Sequence, residues 1–285
     1  MKFQASVSPD LVAGHYDSLD RFYREIWGEH VHHGLWESRR DSTERATRRL
    51  IDLVASEADL RPGDLVCDVG CGYGGTSRVL AADYDAEVTG LTVSPAQHAY
   101  AEAADPGAAN PSYLLRDWLQ NDLDSGSFDA VIAIESTEHM ADLGEFFAEA
   151  ARVLRPGGRL VICAWLTRGH PNRWERRHLI GPICREGRMR GMGTVEDYHR
   201  LARDSGLEIT RSQDLSGRVK RTWPICAGRV AGALVRDPSY RRFLFDREND
   251  HKVFALTLFR IWLAYELGTM RYGILTAEKR RGTGP

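Results

Sequence analysis

Apolar and polar positions alternate along this chain in two rhythms. Short apolar runs that end at polar residues or glycine predict buried strands, and they cover 65–70, 87–94, 112–117, 128–136 and 159–166. Between them, apolar residues recur at helical spacing over 42–58, 75–84, 95–104 and 142–154. Strands that alternate with helices are typical of βαβ units. The pattern therefore predicts an α/β fold with a mostly parallel sheet.

The first part of this core spans 45–166, and the rhythm then breaks. The next residues are rich in Arg, Gly and Pro and show no clear period, which predicts an insertion over one end of the sheet. In chain order we predict a cap insertion at 167–193, a continuation of the core at 194–216, a mostly helical cap insertion at 217–267, and a closing strand and tail at 268–285.

Composition excludes several classes of protein. The chain has 285 residues, 42% of them hydrophobic, and a formal net charge of -2. Nucleic acids and anionic membranes select a strong positive excess, so we expect no nucleic-acid partner and no general membrane-surface binding. No apolar run reaches about 18 residues, so we expect neither a signal peptide nor stable membrane insertion.

Cysteine usage bears on the compartment. The cysteines are odd in number and form no CxxC pair: Cys67, Cys71, Cys163, Cys184 and Cys226. Reduced thiols in a cytoplasmic protein fit this pattern better than a disulfide framework does. A homo-oligomer is compatible with the sequence.

The arginines of the first insertion are the main local excess of charge. They are Arg173, Arg176, Arg177, Arg185, Arg188 and Arg190. Two interpretations stay open, a solvated surface or a clamp for an anion such as a diphosphate or a carboxylate.

The decapeptide VCDVGCGYGG at 66–75 follows the first predicted strand. Glycines there allow positive φ and close approach of a ligand to the backbone. Gly70, Gly72 and Gly75 also satisfy GxGxxG, the dinucleotide-binding pattern, but any glycine-rich turn can match it by chance. A nicotinamide enzyme needs an acidic residue at the end of the second strand, where this chain has Thr92. A dehydrogenase is therefore disfavoured.

Two further features occur in the order of a known family. Asp68 precedes the first glycine by two residues, and an RxLxPGG turn lies within the stretch 138–162. Together they resemble the class I S-adenosylmethionine-dependent methyltransferases. The resemblance implies a Rossmann-like, seven-stranded, mostly parallel sheet with helices on both faces, and S-adenosyl-L-methionine as the cofactor. It places the cofactor against Asp68, Gly70, Cys71, Gly72 and Gly74.

The resemblance narrows to a subgroup. The segments 15–37, 88–97, 116–118 and 135–140 are similar to tocopherol O-methyltransferases, and more distantly to cyclopropane-forming fatty and mycolic acid enzymes and to geranyl diphosphate C-methyltransferases. The similarity covers about residues 12–210. It implies that Thr92 and Gln97 hold the ribose, that Asp117 and Trp118 lie against the adenine, and that Tyr16 lies near the methionine carboxylate. Alternatively, Trp118 is a core residue and Gln97 a solvated one.

Three histidines, His30, His32 and His33, crowd the segment GEHVHHGLW. A metal site needs a cage of ligands, and no HxxxH pair or cysteine partner supports one, so we predict no metal. The subgroup resemblance implies instead that residues 1–44 form an N-terminal helical lid, with a helix at Ser18–Trp27 and the imidazoles facing the reaction chamber. Alternatively, any one of the three anchors the loop through backbone hydrogen bonds.

A base candidate stands at the carboxyl end of the fourth strand, in ESTEHM. Methyl transfer from a sulfonium is an SN2 displacement, and a hydroxyl acceptor must lose a proton, which a neutral imidazole can take. We predict His139 as this base, with His33 and Glu135 as further catalytic residues. Of Glu135 and Glu138, one would hold the cofactor's ammonium and the other would orient the imidazole. Related sugar-modifying enzymes carry an Asp on the fifth strand where this chain has Trp165, so a sugar acceptor is disfavoured.

The two insertions are expected to roof the acceptor. Candidate lining aromatics are Trp165, Trp174, Tyr198, Trp223, Phe243, Phe254 and Trp262. We predict a methyltransferase for a small hydrophobic metabolite, of the phenol, quinol, terpenoid or indole-alkaloid type, in secondary metabolism. The alternatives are a prenyl diphosphate C-methyltransferase and a cyclopropane-forming lipid enzyme. The bicarbonate-binding cysteine and tyrosine pattern of the latter is replaced here by HHG.

Overall fold

A computed structural model describes residues 7–245 and 254–281. Its centre is one sheet of seven strands: β1 (Leu65–Val69), β2 (Glu87–Thr92), β3 (Ser112–Leu115), β4 (Phe128–Ile134), β5 (Leu154–Thr167), β6 (Leu207–Asp214) and β7 (Met270–Lys279). Their order is β3-β2-β1-β4-β5-β7-β6. The first five strands are parallel, and β7 is antiparallel to both of its neighbours. The predicted Rossmann-like, mostly parallel sheet is confirmed.

The strand order reverses between β1 and β4. In open α/β sheets the crevice beyond the carboxyl ends of the strands at such a point is where ligands bind. Asp68 pairs with Gly90 on one side and with Ile132 on the other, so β1 is buried between two strands at the centre of the sheet. The turns after β1 and β4 therefore flank one crevice.

Helices cover both faces of the sheet, as predicted. Those of the core are α3 (Thr43–Glu57), α4 (Gly75–Tyr84), α5 (Pro95–Ala104), α6 (Leu143–Val153) and α9 (Val195–Asp204). The buried side chains form two separate hydrophobic clusters. One contains Leu50, Ile132 and Val161, and the other contains Phe146, Phe147 and Leu160. The predicted turn at 155–158 is continuous with β5, and a register shift between Phe128 and Ala130 accommodates it.

The first insertion is more regular than its sequence suggests. It contains α7 (Arg173–Glu175), a π-helical turn at Arg176–Ile180 and α8 (Gly181–Glu186) in direct succession. A π turn closes its hydrogen bonds one residue later than an α turn, which shifts the phase of the apolar positions. This shift explains why no helical period was visible at 167–193.

The second insertion is helical, as predicted. Its helices are α10 (Ser216–Val219), α11 (Thr222–Arg236), α12 (Pro238–Phe245) and α13 (Phe254–Glu266). No helix among the described residues is long and apolar enough to cross a membrane.

The N-terminal segment forms two helices, α1 (Pro9–Ser18) and α2 (Asp20–Ile26), where the sequence predicted one at Ser18–Trp27. Ser8 caps α1, and Pro9 occupies its first turn, where a proline costs no hydrogen bond. α1 packs against α5, so this segment lies over the carboxyl ends of β1 and β2. The division of the chain into lid, core and caps stays a prediction.

Candidate active site

The glycine loop lies between β1 and α4. Gly70, Gly72 and Gly74 have φ of +79°, +57° and +79°, the left-handed region that side chains disfavour. A Cβ on Gly70 would lie 2.4 Å from the Ser136 Cβ, so this glycine lets the turns after β1 and β4 touch. A Cβ on Gly72 would meet only the Gln97 Nε2, at 3.9 Å. Gly72 therefore faces open space, and Gly70 faces protein.

The space in front of Gly72 is a cavity that we call the loop cavity, with a volume of about 820 Å³ including the open solvent at its mouth. The predicted cofactor-binding residues that line it are Tyr16, Gly70, Gly72, Thr92, Gln97, Asp117 and Trp118. Lid residues the sequence did not single out, Val7, Pro9 and Val12, close one side of it.

Asp68, Cys71 and Gly74 do not line the loop cavity, although they were predicted to bind the cofactor. Asp68 is buried behind the glycine loop, where its carboxylate accepts a hydrogen bond of 2.6 Å from Ser77 Oγ. Burial raises the pKa of this carboxyl to about 6. Gly74 is packed against the Tyr113 hydroxyl. These residues hold the shape of the glycine loop from behind.

Polar groups gather where β2 ends. The hydroxyl of Thr92 donates to Gln97 Oε1 at 2.9 Å, and both side chains are buried at the cavity wall. Asp17, at the end of α1, accepts from Ser94 Oγ at 2.5 Å and from the Ala96 N–H at 3.3 Å. The lid thus caps the N-terminus of α5, where free N–H groups favour a negative charge.

Trp118 satisfies both interpretations that the sequence allowed. It lines the loop cavity, and it is also 2% exposed and packed against Phe146. Its indole N–H donates to the Phe146 carbonyl at 3.3 Å. Asp117 caps the short turn that carries this indole, through a 3.1 Å bond from the Leu119 N–H.

A second cavity lies beneath the two insertions, with a volume of about 790 Å³ including the open solvent at its mouth, and we call it the cap cavity. Its walls are mainly aromatic and aliphatic: Tyr23, Trp27, Trp165, Trp223, Ile183, Met189, Leu258 and Ile261. Among the described residues, no arginine or lysine lines it. Of the aromatics predicted for the roof, Trp165 and Trp223 line it, whereas Trp174 and Trp262 are exposed and Tyr198 is core. The side chains of Phe243 and Phe254 lie outside the described part.

Four residues line both cavities: Tyr16, Val31, Glu135 and His139. His139 Nδ1 lies 3.4 Å from the Arg188 carbonyl oxygen, which can only accept, so Nδ1 carries a proton. Its Nε2 then has a free electron pair, and it lies 3.1 Å from the Tyr16 hydroxyl. Burial lowers the pKa of His139, which keeps the ring neutral at pH 7. A basic nitrogen therefore stands where the two cavities meet.

Glu135 is held by four donors. Its Oε1 accepts from the His33 N–H at 2.7 Å, from His33 Nδ1 at 3.0 Å and from the Tyr272 hydroxyl at 2.8 Å, and its Oε2 accepts from Trp165 Nε1 at 2.7 Å. Burial raises the pKa of Glu135, but the His33 ring, the nearby His32 ring and the His33 N–H outweigh burial and bring it to about 2. The residue also has a φ of +55°. Glu135 is an ionised, fixed carboxylate.

Neither glutamate orients the imidazole of His139, as one of them was expected to do. Glu135 contacts His33 instead. Glu138 accepts a hydrogen bond from the Trp165 N–H, and it lines the cap cavity but not the loop cavity. Burial raises the pKa of Glu138 to about 8, so this carboxyl is mostly protonated at pH 7. The backbone carbonyl of Arg188 takes the orienting role, and no sequence pattern could have indicated it.

His33 lines the cap cavity, but both of its nitrogens are engaged. Trp223 Nε1 can only donate, and it lies 2.7 Å from His33 Nε2, so Nε2 accepts and Nδ1 donates to Glu135. In this arrangement the ring links Trp223 to Glu135. No free electron pair is left for an acceptor proton.

His30 and His32 line neither cavity, contrary to the expectation for this segment. His32 Nδ1 bonds to the His33 carbonyl at 2.9 Å, which anchors the loop. Burial lowers the pKa of both rings, that of His30 to about 3. Within the described residues, no three His, Cys, Asp or Glu side chains are grouped as metal ligands.

The sheet, the glycine loop and the two joined cavities define an S-adenosylmethionine-dependent methyltransferase, and comparison with known proteins agrees. The chain belongs to the mycolic acid cyclopropane synthetase family, whose model matches residues 5–229. The predicted resemblance, enzyme class and cofactor are confirmed.

Three relatives match most of the chain. A 2-methyl-6-phytyl-1,4-hydroquinone methyltransferase from Synechocystis is 36% identical over 97% of this chain and 90% of its own length. A chloroplastic tocopherol O-methyltransferase from Arabidopsis thaliana is 31% identical over 94% and 81%. A 27-O-demethylrifamycin SV methyltransferase from Amycolatopsis mediterranei is 31% identical over 95% and 98%. The chain spans 64% of the length of a further, chloroplastic relative from rice.

Solved structures share the fold along nearly the whole chain. The cyclopropane synthase MmaA2 from Mycobacterium tuberculosis has a TM-score of 0.84 at 24% identity, covering 97% of this chain and all of that one. The [4+2]-cyclase SpnF has a TM-score of 0.80 at 27% identity, covering 98% of both chains.

Proposed function

We propose that this enzyme methylates a small hydrophobic acceptor held in the cap cavity, with S-adenosylmethionine held in the loop cavity. One observation carries the proposal: the two cavities meet at Tyr16, Val31, Glu135 and His139. A displacement reaction needs donor and acceptor in line, and alignment of two bound substrates supplies much of the rate enhancement. When bound, the cofactor supplies an electrophilic methyl group.

The loop cavity fits this cofactor. Gly72 leaves its floor free of side-chain atoms, so a ligand can approach the backbone. The linked pair of Thr92 and Gln97 suits a ribose, and Asp117 with Trp118 suits an adenine. Tyr16 was expected near the methionine carboxylate, and its hydroxyl lies 3.1 Å from His139 Nε2. We assign it to the junction, by which we mean the place where the two cavities meet, lined by Tyr16, Val31, Glu135 and His139.

His139 is the proposed base. An acceptor hydroxyl in the cap cavity gives its proton to Nε2, while the proton on Nδ1 stays bonded to the Arg188 carbonyl. The hydroxyl of Tyr16 must turn away from Nε2 or pass the proton on. Because Tyr16 belongs to α1, this contact with His139 forms only when α1 lies over the crevice.

Glu135 and His33 are positioning residues in this proposal. The carboxylate ties together β4, β5, β7 and the histidine segment through Trp165, Tyr272 and His33. It also places a fixed negative charge beside the junction, where a sulfonium would be stabilised. The sequence assigned both residues to catalysis, and the geometry supports an indirect role.

The walls of the cap cavity favour an uncharged, partly planar acceptor, of the phenol, quinol, terpenoid or indole-alkaloid type, in secondary metabolism. The substrates in the relatives' names, a phytyl hydroquinone, tocopherol and a rifamycin, are of this kind. A prenyl diphosphate is less well supported, because among the described residues no arginine or lysine lines the cavity.

We further propose that the enzyme works in the cytoplasm without a nucleic-acid partner. Its five cysteines are buried free thiols, and its net charge is -2. The cyclopropane-forming alternative has less support, because both nitrogens of His33 are already engaged by protein groups at the place where bicarbonate would be held.

The test is a screen of hydrophobic phenols, quinols, terpenoids and indoles with isotope-labelled S-adenosylmethionine, read by mass spectrometry. Transfer of label to at least one of them supports the proposal. Calorimetric binding of NAD without binding of S-adenosylhomocysteine would overturn it.

A further inference from the structure

The roof of the cap cavity has an unusual outer surface. On α13, the side chains of Leu256, Phe259 and Trp262 are 47%, 53% and 38% exposed, and the last two rings lie 5.7 Å apart. These three residues follow each other at intervals of three, so they lie along one side of the helix. We call them the outer α13 face.

The opposite side of the same helix lines the cap cavity. Thr257, Leu258 and Ile261 belong to the cavity wall. A surface helix of a globular protein normally presents polar residues outward. α13 instead has apolar residues toward the acceptor and toward the outside, so its outer face has the composition of an interface.

Exposed cations accompany this face. The segment 173–186 packs against α13, and Glu186 links the two elements by accepting hydrogen bonds from Thr257 and Arg260. The segment also exposes Trp174, at 51%. Its exposed arginines, which form no ion pair within the described residues, are Arg173, Arg176, Arg177 and Arg185. We call this the arginine segment.

We propose that the outer α13 face and the arginine segment dock the enzyme reversibly on a membrane surface that contains anionic lipids. Tryptophan and phenylalanine are suited to the boundary between head groups and acyl chains, and arginines beside them attract anionic head groups. Docking would place the roof of the cap cavity against the phase in which hydrophobic acceptors dissolve. This purpose rests on the proposed function, whereas the docking itself does not.

Charge decides between a membrane and a second copy of the chain. A two-fold interface puts the same patch of both copies face to face, so unpaired arginines would meet arginines. An anionic surface neutralises them instead. The net charge of -2 does not oppose this binding, because the four exposed arginines lie close together in the segment 173–186.

The experiment is co-sedimentation of the full chain with vesicles, without any acceptor. We expect binding to vesicles of phosphatidylcholine mixed with phosphatidylglycerol, weaker binding to phosphatidylcholine alone, and a loss of binding at high salt. If the same fraction of the protein stays in the supernatant with both kinds of vesicle, the proposal is overturned.

Two double variants locate the surface. Phe259→Ser with Trp262→Ser should weaken vesicle binding by about tenfold or more. Arg176→Gln with Arg177→Gln should weaken it by about tenfold on the anionic vesicles. The matched controls, Leu115→Ser and Arg39→Gln with Arg40→Gln, alter equally exposed residues far from α13 in sequence and should bind as the unmodified protein does.

Calorimetry with S-adenosylhomocysteine separates folding and function from docking. All four variants should keep the affinity of the unmodified protein, which shows that they fold. Vesicle binding that survives both surface variants, or a dimer in ultracentrifugation that Trp262→Ser dissociates, would overturn the docking proposal. Failure of the unmodified protein to bind S-adenosylhomocysteine would overturn the proposed function alone.

Discussion

The loop cavity and the cap cavity share four wall residues but are built in different ways. The loop cavity is formed largely by turns at the ends of parallel strands, with glycine backbone at its floor and a few linked polar groups such as Thr92 and Gln97. The cap cavity is formed by side chains of inserted helices, among them Ile183, Met189 and Leu258. Backbone turns specify one polar ligand closely, whereas inserted side chains can be exchanged without disturbing the sheet. The first cavity therefore suits a constant cofactor, and the second suits a family-specific acceptor.

The largest effect is expected at the floor of the loop cavity. Gly72→Val should reduce affinity for S-adenosylhomocysteine by about 10²-fold or more. The new side chain would occupy the place of the ligand, and the ligand would lose its contact with the backbone. The left-handed φ adds about 1–2 kcal/mol of strain to the folded state. Calorimetry measures the affinity.

The matched control is Gly107→Val. Gly107 has a φ of +78° and no neighbouring atom within 4 Å of an added Cβ, so it carries the same kind of backbone strain away from the cavity. It should leave the affinity unchanged. If the two variants lose affinity equally, strain rather than the cavity is responsible and the comparison between the cavities fails.

Next in size is the effect at the junction. His139→Ala should lower kcat by about 10²-fold, with affinity for S-adenosylhomocysteine nearly retained, because a base acts on the acceptor proton. For the unmodified enzyme, kcat should rise with pH through a pKa below the usual 6.5 of histidine and then stay level, since burial lowers this pKa and only the neutral ring accepts a proton. Exposed His170 provides the control variant His170→Ala. A pH profile that is flat in this range would argue against His139.

The carboxylate beside the junction should matter for stability. Glu135→Gln should lower the free energy of unfolding by about 2–3 kcal/mol, because an amide cannot accept from all four donors and one buried group is left unpaired. The control, Glu102→Gln, changes an exposed residue and should cost less than about 0.5 kcal/mol.

The same carboxylate should make the free energy of unfolding depend on pH in the acid range. Its folded pKa of about 2 lies below its ordinary 4.5, so its contribution is complete above pH 4.5 and is lost as the pH falls toward 2. Denaturant titration of the native enzyme and of Glu135→Gln, at neutral and acid pH, measures both effects. Equal stability of the two proteins at pH 7 would contradict the account of Glu135.

The smallest effect is expected for Tyr16→Phe. If its hydroxyl serves His139, kcat should fall by about tenfold while affinity for S-adenosylhomocysteine is kept. If the hydroxyl serves the methionine carboxylate, affinity should fall instead. Tyr100→Phe, a substitution on α5 outside both cavities, is the control.

The sequence predicted more of the loop cavity than of the cap cavity, and the reason is physical. The residues of the loop cavity follow closely after strand ends, and parallel strands bring those ends to one edge, so short motifs predicted Thr92, Gln97 and Asp117 as neighbours. A closing strand was predicted within 268–285, and β7 lies inside that range.

The rest of the site depends on contacts between distant segments. His33 meets Trp223 across 190 positions, and Tyr16 meets His139 across 123. No local pattern encodes such pairs, so His33 was expected to be a catalytic group and Tyr16 a carboxylate ligand. Asp68 illustrates the same limit, because its proximity to the glycines in sequence does not reveal that its side chain points to Ser77 behind the loop.

The central claim is that the loop cavity holds the cofactor and the cap cavity holds the acceptor, with His139 between them. A crystal structure of the enzyme with S-adenosylhomocysteine tests it most directly. We expect adenine beside Asp117 and Trp118, ribose beside Thr92 and Gln97, the sulfur at the junction near His139, and no part of the ligand in the cap cavity. S-adenosylhomocysteine bound beneath Trp165 and Trp223, with the loop cavity empty, would contradict it.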